Sequence, residues 1–148
     1  MSIVDYLFEI GILKKVKRSG WWFAKIKDPE SVAEHVQRAA VIGFILGKIE
    51  KVNAEKCALL VLFHDNHETR ILDLHKVADR YLEKKKAEVQ AHTEQIKQLP
   101  TEIGKEILSL FTEYENQQSK EAIIARDADL LECAITAKEY IEIGYQNI

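Results

Sequence analysis

Asn53-Ala54-Glu55-Lys56-Cys57-Ala58-Leu59-Leu60-Val61-Leu62-Phe63-His64-Asp65 decides the architecture and, in its last two positions, raises a question of chemistry. Asn53 is a favoured helix cap, and Cys57, Leu60 and Val61 recur at the three- and four-residue spacing of one helical face. The run, with Phe63 as its last apolar residue, then stops on an imidazole and a carboxylate. Neighbours on a regular helix point about 100° apart, so His64 and Asp65 can serve one point only near a helix end or an irregular turn.

Upstream, Ser31-Val32-Ala33-Glu34 reads as a capping box in which hydroxyl and carboxylate each satisfy an otherwise free amide. The helix it opens runs to about Ile49 and carries His35 on one stripe with Val32, Ala39 and Leu46. Nearer the start, Ser2 caps a helix with the stripe Ile3, Tyr6, Leu7, Ile10 and Leu13. It ends in the basic turn Lys14, Lys15, Lys17, Arg18 before Gly20, the charge a helix C-terminus favours. Residues 20–30 form a loop.

Downstream, a short helix is expected near Leu74 to Tyr81. A charged helix follows from Lys84 to Gln98, with Val89, Ile96 and Leu99 as its apolar face, and Pro100 stops it. Thr101 caps another helix through about Tyr114, and Ser119 caps the last. No strict alternation suggests a sheet. The expectation is an all-α chain: one compact helical bundle, a single domain over residues 1–148.

Composition agrees with that class and narrows the function. The 148 residues are 47% hydrophobic and 30% charged, with two prolines and six glycines, too few for a turn-rich β-sandwich. A net charge of −3 gives no global basic field for a nucleic acid polymer. No apolar run approaches the roughly 20 residues of a membrane span, and the N-terminus lacks the basic front of a secretory signal. Cys57 and Cys133 lie in apolar helical stretches without metal-type spacing, so reduced core thiols in a cytoplasmic protein are expected.

Three places put metal-binding side chains where a core wants apolar ones: His35, the pair His64-Asp65, and Asp129 within Arg126-Asp127-Ala128-Asp129. Singly each has a plain explanation. A lone buried histidine is usually a hydrogen-bonded core residue, and Arg126 could pair Asp129 structurally. Together they make two nitrogens and two oxygens, a donor set suited to one divalent Mn, Co, Fe, Ni or Zn.

The order His35 … His64-Asp65 … Asp129 resembles the HD superfamily of metal-dependent phosphohydrolases. Arg18-Ser19-Gly20-Trp21, Pro29-Glu30-Ser31-Val32-Ala33-Glu34-His35 and Leu62-Phe63-His64-Asp65 narrow the resemblance to its 5′-deoxynucleotidase branch. The resemblance implies an HD-type bundle in which His35, His64, Asp65 and Asp129 hold the metal, Asp129 being preferred to Asp127. It also implies Glu68 as the catalytic carboxylate, Arg18 as the phosphate contact, Trp21 as a substrate contact and Asp73 as the carboxylate facing the sugar. On a continuous helix His64, Asp65 and Glu68 would share one face.

Plainer readings stand beside these: Glu68 paired with Arg70, Arg18 as helix-end charge, Trp21 as core aromatic, Asp73 as an N-cap. The chain departs from the branch at Asn66 and His67, where small residues are usual, and at Leu72-Asp73, where Gly-Asp is usual. His67 and His75 could shape a second metal position or lie exposed. The activity implied is phosphate release from deoxyribonucleoside 5′-monophosphates by a homodimer. The alternatives are nucleoside triphosphates or cyclic nucleotides as substrate, or a non-catalytic module that binds nucleotide or metal.

Overall fold

The computed structural model describes residues 2–146. Among them are seven α-helices: α1 (Ile3–Ile10), α2 (Val32–Ile49), α3 (Ala54–His64), α4 (Glu68–Ile71), α5 (Lys84–Gln95), α6 (Thr101–Asn116) and α7 (Lys120–Glu142). Short 3-10 segments occupy Gly11–Lys14, Ser19–Ala24, Ala78–Arg80 and Ile96–Gln98. The described residues contain no strand, only an antiparallel bridge between Lys17 and Ser31. The protein is all-helical, as its periodicity indicates. Its contacts gather into two units: the described residues up to Ala33 with Asn66–Leu108, and Glu34–Asp65 with the described residues from Ser109 onward.

The second unit is built on small side chains. Ala39, Leu60, Val61, Tyr114, Ala122, Ala125 and Ala128 form its core, with Ile42, Leu46 and Leu110 packed against it. A Cβ at Gly47 would lie 2.6 Å from Ala54 Cα, and one at Gly43 3.3 Å from the Cys57 carbonyl oxygen. Glycines one turn apart therefore let α2 and α3 approach closely. Asn53 caps α3 by accepting from Lys56 N at 2.9 Å, and Ser119 caps α7 by accepting from Ala122 N at 3.1 Å. In α7 the buried stripe is Ala122, Ala125, Ala128, Asp129, Glu132 and Thr136, whereas Ile123, Leu130 and Leu131 are exposed. Of the large apolar residues that make the start of α7 look core-like in sequence, Ile124 is buried but Ile123, Leu130 and Leu131 are not. Cys57 is buried, Cys133 is half-buried, and both are free thiols.

The first unit departs more from expectation. Ser2 caps α1, with Asp5 closing the box, but the helix stops at Ile10. A 3-10 segment carries the chain on to Lys14, and the basic residues after it are not helical: Arg18 N donates to Glu30 O at 3.0 Å and Val32 N to Val16 O at 2.8 Å. Arg18 therefore precedes a 3-10 segment instead of ending a helix. The expected helix over 74–81 shrinks to Ala78–Arg80, because His75 Nδ1 accepts from Ala78 N at 3.1 Å and fixes a turn there.

Leu72 stands at φ 66, ψ 170, a region that costs a side-chain-bearing residue about 1–3 kcal/mol and that glycine enters freely. This is the position where the branch it resembles usually has glycine.

The face of α5 also differs. Glu88, Ala91, His92 and Gln95 are buried while Val89 is 44% exposed. The inward side chains serve the turn after α3, whose Asn66 carbonyl also accepts from Thr69 N at 3.3 Å and Thr69 Oγ1 at 3.0 Å. Gln95 Nε2 donates to that carbonyl at 3.1 Å and also reaches Thr69 Oγ1 at 2.9 Å.

Glu9 is the hub of this network. It accepts from Arg70 Nε at 2.5 Å and Nη2 at 3.0 Å, from Thr69 Oγ1 at 3.2 Å, from Gln95 at 3.0 Å, and from Gln98. The Arg70 hydrogen bond, opposed by burial and helped by Gln98 and Gln95, holds the Glu9 carboxyl down at about 2. A depressed carboxyl contributes stability that is fully present above its unfolded pKa, near 4.5, and is lost as pH falls towards 2. Glu9→Gln should flatten the acid limb of the stability curve over that window by about 2 kcal/mol, after allowance for partial solvent screening. Urea midpoints at pH 5, 4, 3 and 2.5 check this; parallel limbs in the two proteins would contradict it.

Candidate metal centre

The centre is assembled by three helices of the second unit. α3 ends at His64, and Asp65 leaves helical geometry at φ −101, ψ 11. That break turns the adjacent side chains towards each other, with His64 Nε2 3.1 Å from Asp65 Oδ2. His35, fully buried on α2, brings its Nε2 to 3.0 Å from Asp129 Oδ1 on α7, and His64 Nε2 lies 4.0 Å from the same oxygen. Donor atoms of His35, His64 and Asp129 lie within 4.8 Å of one another. Asp127, the rival for the last position, is exposed, whereas Asp129 is buried.

The other nitrogen of each imidazole is committed elsewhere. His64 Nδ1 donates to Val61 O at 2.6 Å, and His35 Nδ1 donates to Glu132 Oε2. Each ring thereby spends Nδ1 as a donor and turns Nε2 towards Asp129, and it is Nε2 that would give its lone pair to a cation on losing its proton.

Glu132 is itself gripped. Its Oε1 accepts from Arg38 Nε at 2.9 Å, Arg38 Nη2 at 2.7 Å and Thr136 Oγ1 at 2.9 Å. Arg38 also reaches Glu139 at 2.6 Å. Asp129 Oδ2 is held by Tyr114 Oη at 3.1 Å and Arg126 Nη1 at 3.4 Å, which leaves Oδ1 as the oxygen facing the histidines. The Arg126 pairing therefore exists alongside the ligand geometry and does not replace it.

The electrostatics favour a cation. Burial alone would raise the Asp129 carboxyl, but the His35 hydrogen bond and the His64 charge bring it down to about 2. Burial alone would lower His64, yet Asp65 and Asp129 raise it above its ordinary value. Burial and the Asp129 charge push the Tyr114 hydroxyl far up, so it stays a neutral donor. Two imidazoles, neutral once Nε2 gives up its proton to an ion, and two carboxylates would match the charge of a divalent cation, and their chemistry fits borderline transition metals. The residues present fit the metal.

Glu132, Arg38, Thr136 and Tyr114 were not singled out from sequence. Glu132 had a local signal, being a carboxylate three residues after Asp129 on the same face of an apolar helix. Arg38 had none, because its partner lies 94 residues away.

The remaining expected residues all belong to the first unit. Glu68 is buried and opens α4. It shares no continuous helix with His64, because α3 ends there and a turn over 65–67 intervenes. Half-buried Trp21 donates from Nε1 to Glu30 Oε1 at 3.2 Å. Asp73 does not cap a helix: its Oδ2 accepts from Ser19 N at 2.6 Å, and its carbonyl accepts from Ser19 Oγ at 2.6 Å. Arg18, next to Ser19, is half-buried. His67 is buried with Nε2 3.5 Å from Glu88 Oε1, and His75 stacks edge-on against Phe23.

An all-helical scaffold that gathers two histidines and an aspartate from three helices, with a second aspartate beside one of the histidines, defines a class of helical proteins with a candidate metal centre. Residues 10–147 match the family model described as HD domain, and the chain belongs to that family. It is 33% identical to the human protein named 5′-deoxynucleotidase HDDC2 over 146 residues, 98% of this chain and 71% of the human one. A conserved hypothetical protein from Pyrococcus furiosus superposes with a TM-score of 0.84 at 33% identity, covering 97% of this chain and 82% of that one. A predicted metal-dependent phosphohydrolase from Magnetospirillum magnetotacticum gives 0.76 at 26% identity, over 90% of this chain and 69% of that one. No helix among the described residues is long and apolar enough to cross a membrane.

Proposed function

We propose that this protein is a metal-dependent 5′-deoxynucleotidase that releases phosphate from deoxyribonucleoside 5′-monophosphates. The observation that carries the reading is the convergence of His35, His64 and Asp129, with Asp65 beside His64, in a chain similar to proteins bearing that name. These four residues would hold one divalent transition metal, Mn, Co, Fe, Ni or Zn.

When bound, such an ion supplies Lewis acidity, drawing charge from phosphate oxygens and making water more acidic. The chain's own residues do the rest. Glu68 accepts the proton of the attacking water and returns one to the leaving 5′-oxygen. Arg18 presents paired donors to the phosphoryl oxygens and spreads their charge. Trp21 and Asp73 meet the nucleoside. Glu132 and Val61 keep the two imidazoles aimed. The resemblance further suggests a homodimer in the cytoplasm, which light scattering on the purified protein would check.

The test is phosphate release from a panel of deoxy- and ribonucleoside monophosphates, nucleoside triphosphates and cyclic nucleotides with each metal in turn. Deoxynucleoside monophosphates are expected to turn over fastest. Preference for triphosphates or cyclic nucleotides would replace the substrate, and binding without product under every metal would reduce the protein to a ligand-holding module.

A further inference from the structure

Ser19 is 4% exposed and lies between Arg18 and Trp21, the residues read as phosphate and substrate contacts. Its amide and its hydroxyl each make a 2.6 Å hydrogen bond to Asp73, 54 residues away. Two groups on one residue meeting two groups on another fix orientation as well as distance. The turn that brings Asp73 there contains Leu72 in a backbone region foreign to side-chain-bearing residues, so the chain holds this geometry against a conformational cost.

We propose that Ser19 is a positioning residue for substrate recognition, locking the Arg18–Trp21 segment onto the turn that carries Asp73. The group facing phosphate and the group facing sugar are thereby held at one spacing. The inference rests on the deoxynucleotidase reading and extends it to a residue which need not touch substrate. One Asp73 oxygen is oriented by the Ser19 amide, which fixes the direction in which the carboxylate can meet a sugar hydroxyl. The hydroxyl bond to the Asp73 carbonyl prevents the turn from rotating about that single anchor. Loss of the hydroxyl leaves the amide bond in place, so the segment stays folded while its angle to Asp73 relaxes. Discrimination between sugars suffers from such relaxation more than phosphate chemistry does, because selectivity depends on the alignment of a few polar groups.

The test compares Ser19→Ala and Ser19→Thr with the wild type, all as full-length protein loaded with Mn. For Ser19→Ala, KM for a deoxynucleoside monophosphate should rise about tenfold, more than kcat falls. The deoxy-to-ribo ratio of kcat/KM should drop by a similar factor, while metal content stays the same. Ser19→Thr keeps the hydroxyl and should restore the ratio. An independent reading uses the wild type alone: amide exchange measured by NMR should show the Ser19 N–H strongly protected. Equal loss on deoxy and ribo substrates, failure of Ser19→Thr to restore the ratio, or a Ser19 amide exchanging at the unprotected rate would each overturn the proposal. A wild type inactive on every monophosphate would instead sink the deoxynucleotidase reading, and this inference with it.

Discussion

Asp129→Ala is expected to empty the metal centre and to lower phosphate release by roughly a thousandfold or more. The estimate follows from several kcal/mol of charge stabilisation at 1.36 kcal/mol per decade. Asp129 Oδ1 lies between the two Nε2 atoms, at 3.0 Å from His35 and 4.0 Å from His64. Its removal takes one of the two carboxylate charges from the set. It also deprives Tyr114 and Arg126 of the acceptor they share, so a guanidinium is left beside the spot where a cation should sit. Glu132→Gln should be milder. It leaves every ligand in place but weakens the acceptor that fixes the His35 tautomer, and loss of such support costs about 10–100-fold in metal affinity. Elemental analysis and chelator competition on both variants read this directly. Stoichiometric metal in Asp129→Ala would remove that residue from the ligand set.

Glu68→Ala should give the opposite pattern, with metal retained and turnover reduced by roughly 10²–10⁴, the usual contribution of a positioned acid–base group. Glu68 is 3% exposed, a burial that a solvent-facing partner of Arg70 would not need. Arg70 is instead committed to Glu9 through two hydrogen bonds. Glu68→Gln keeps the shape and hydrogen-bonding capacity but not the basicity, so it should lose nearly as much as Glu68→Ala. Wild-type turnover in either variant, measured with metal content confirmed, would return Glu68 to a structural role.

Much of the metal centre was legible because its signals are local. His64-Asp65 had to sit at a helix end to serve one point, and α3 ends there. Asn53 and Ser119 announced their helices by residue type alone. Glu68 was read as sharing a helix face with His64 because the spacing suited one, and the turn at 65–67 left no trace in periodicity. The buried side of α5 was misread for a related reason. Apolar spacing pointed to Val89, whereas Glu88, His92 and Gln95 are inside, and hydrogen bonding to a distant turn outweighs hydropathy there. The supports of the centre join different helices. Arg38 and Glu132 lie 94 residues apart, beyond any local window. Tyr114 reaches Asp129 across the turn between α6 and α7, a pairing no helical period announces.

The crowded crossing of α2 and α3 reaches further than packing. A Cβ at Gly43 would lie 3.4 Å from Val61 Cγ2, and Val61 is the residue whose carbonyl steers His64. Anyone grafting this centre into a new scaffold would have to transplant that bare-backbone contact along with the four ligands. Drift at two glycines that never touch an ion would be felt in how firmly the protein holds one.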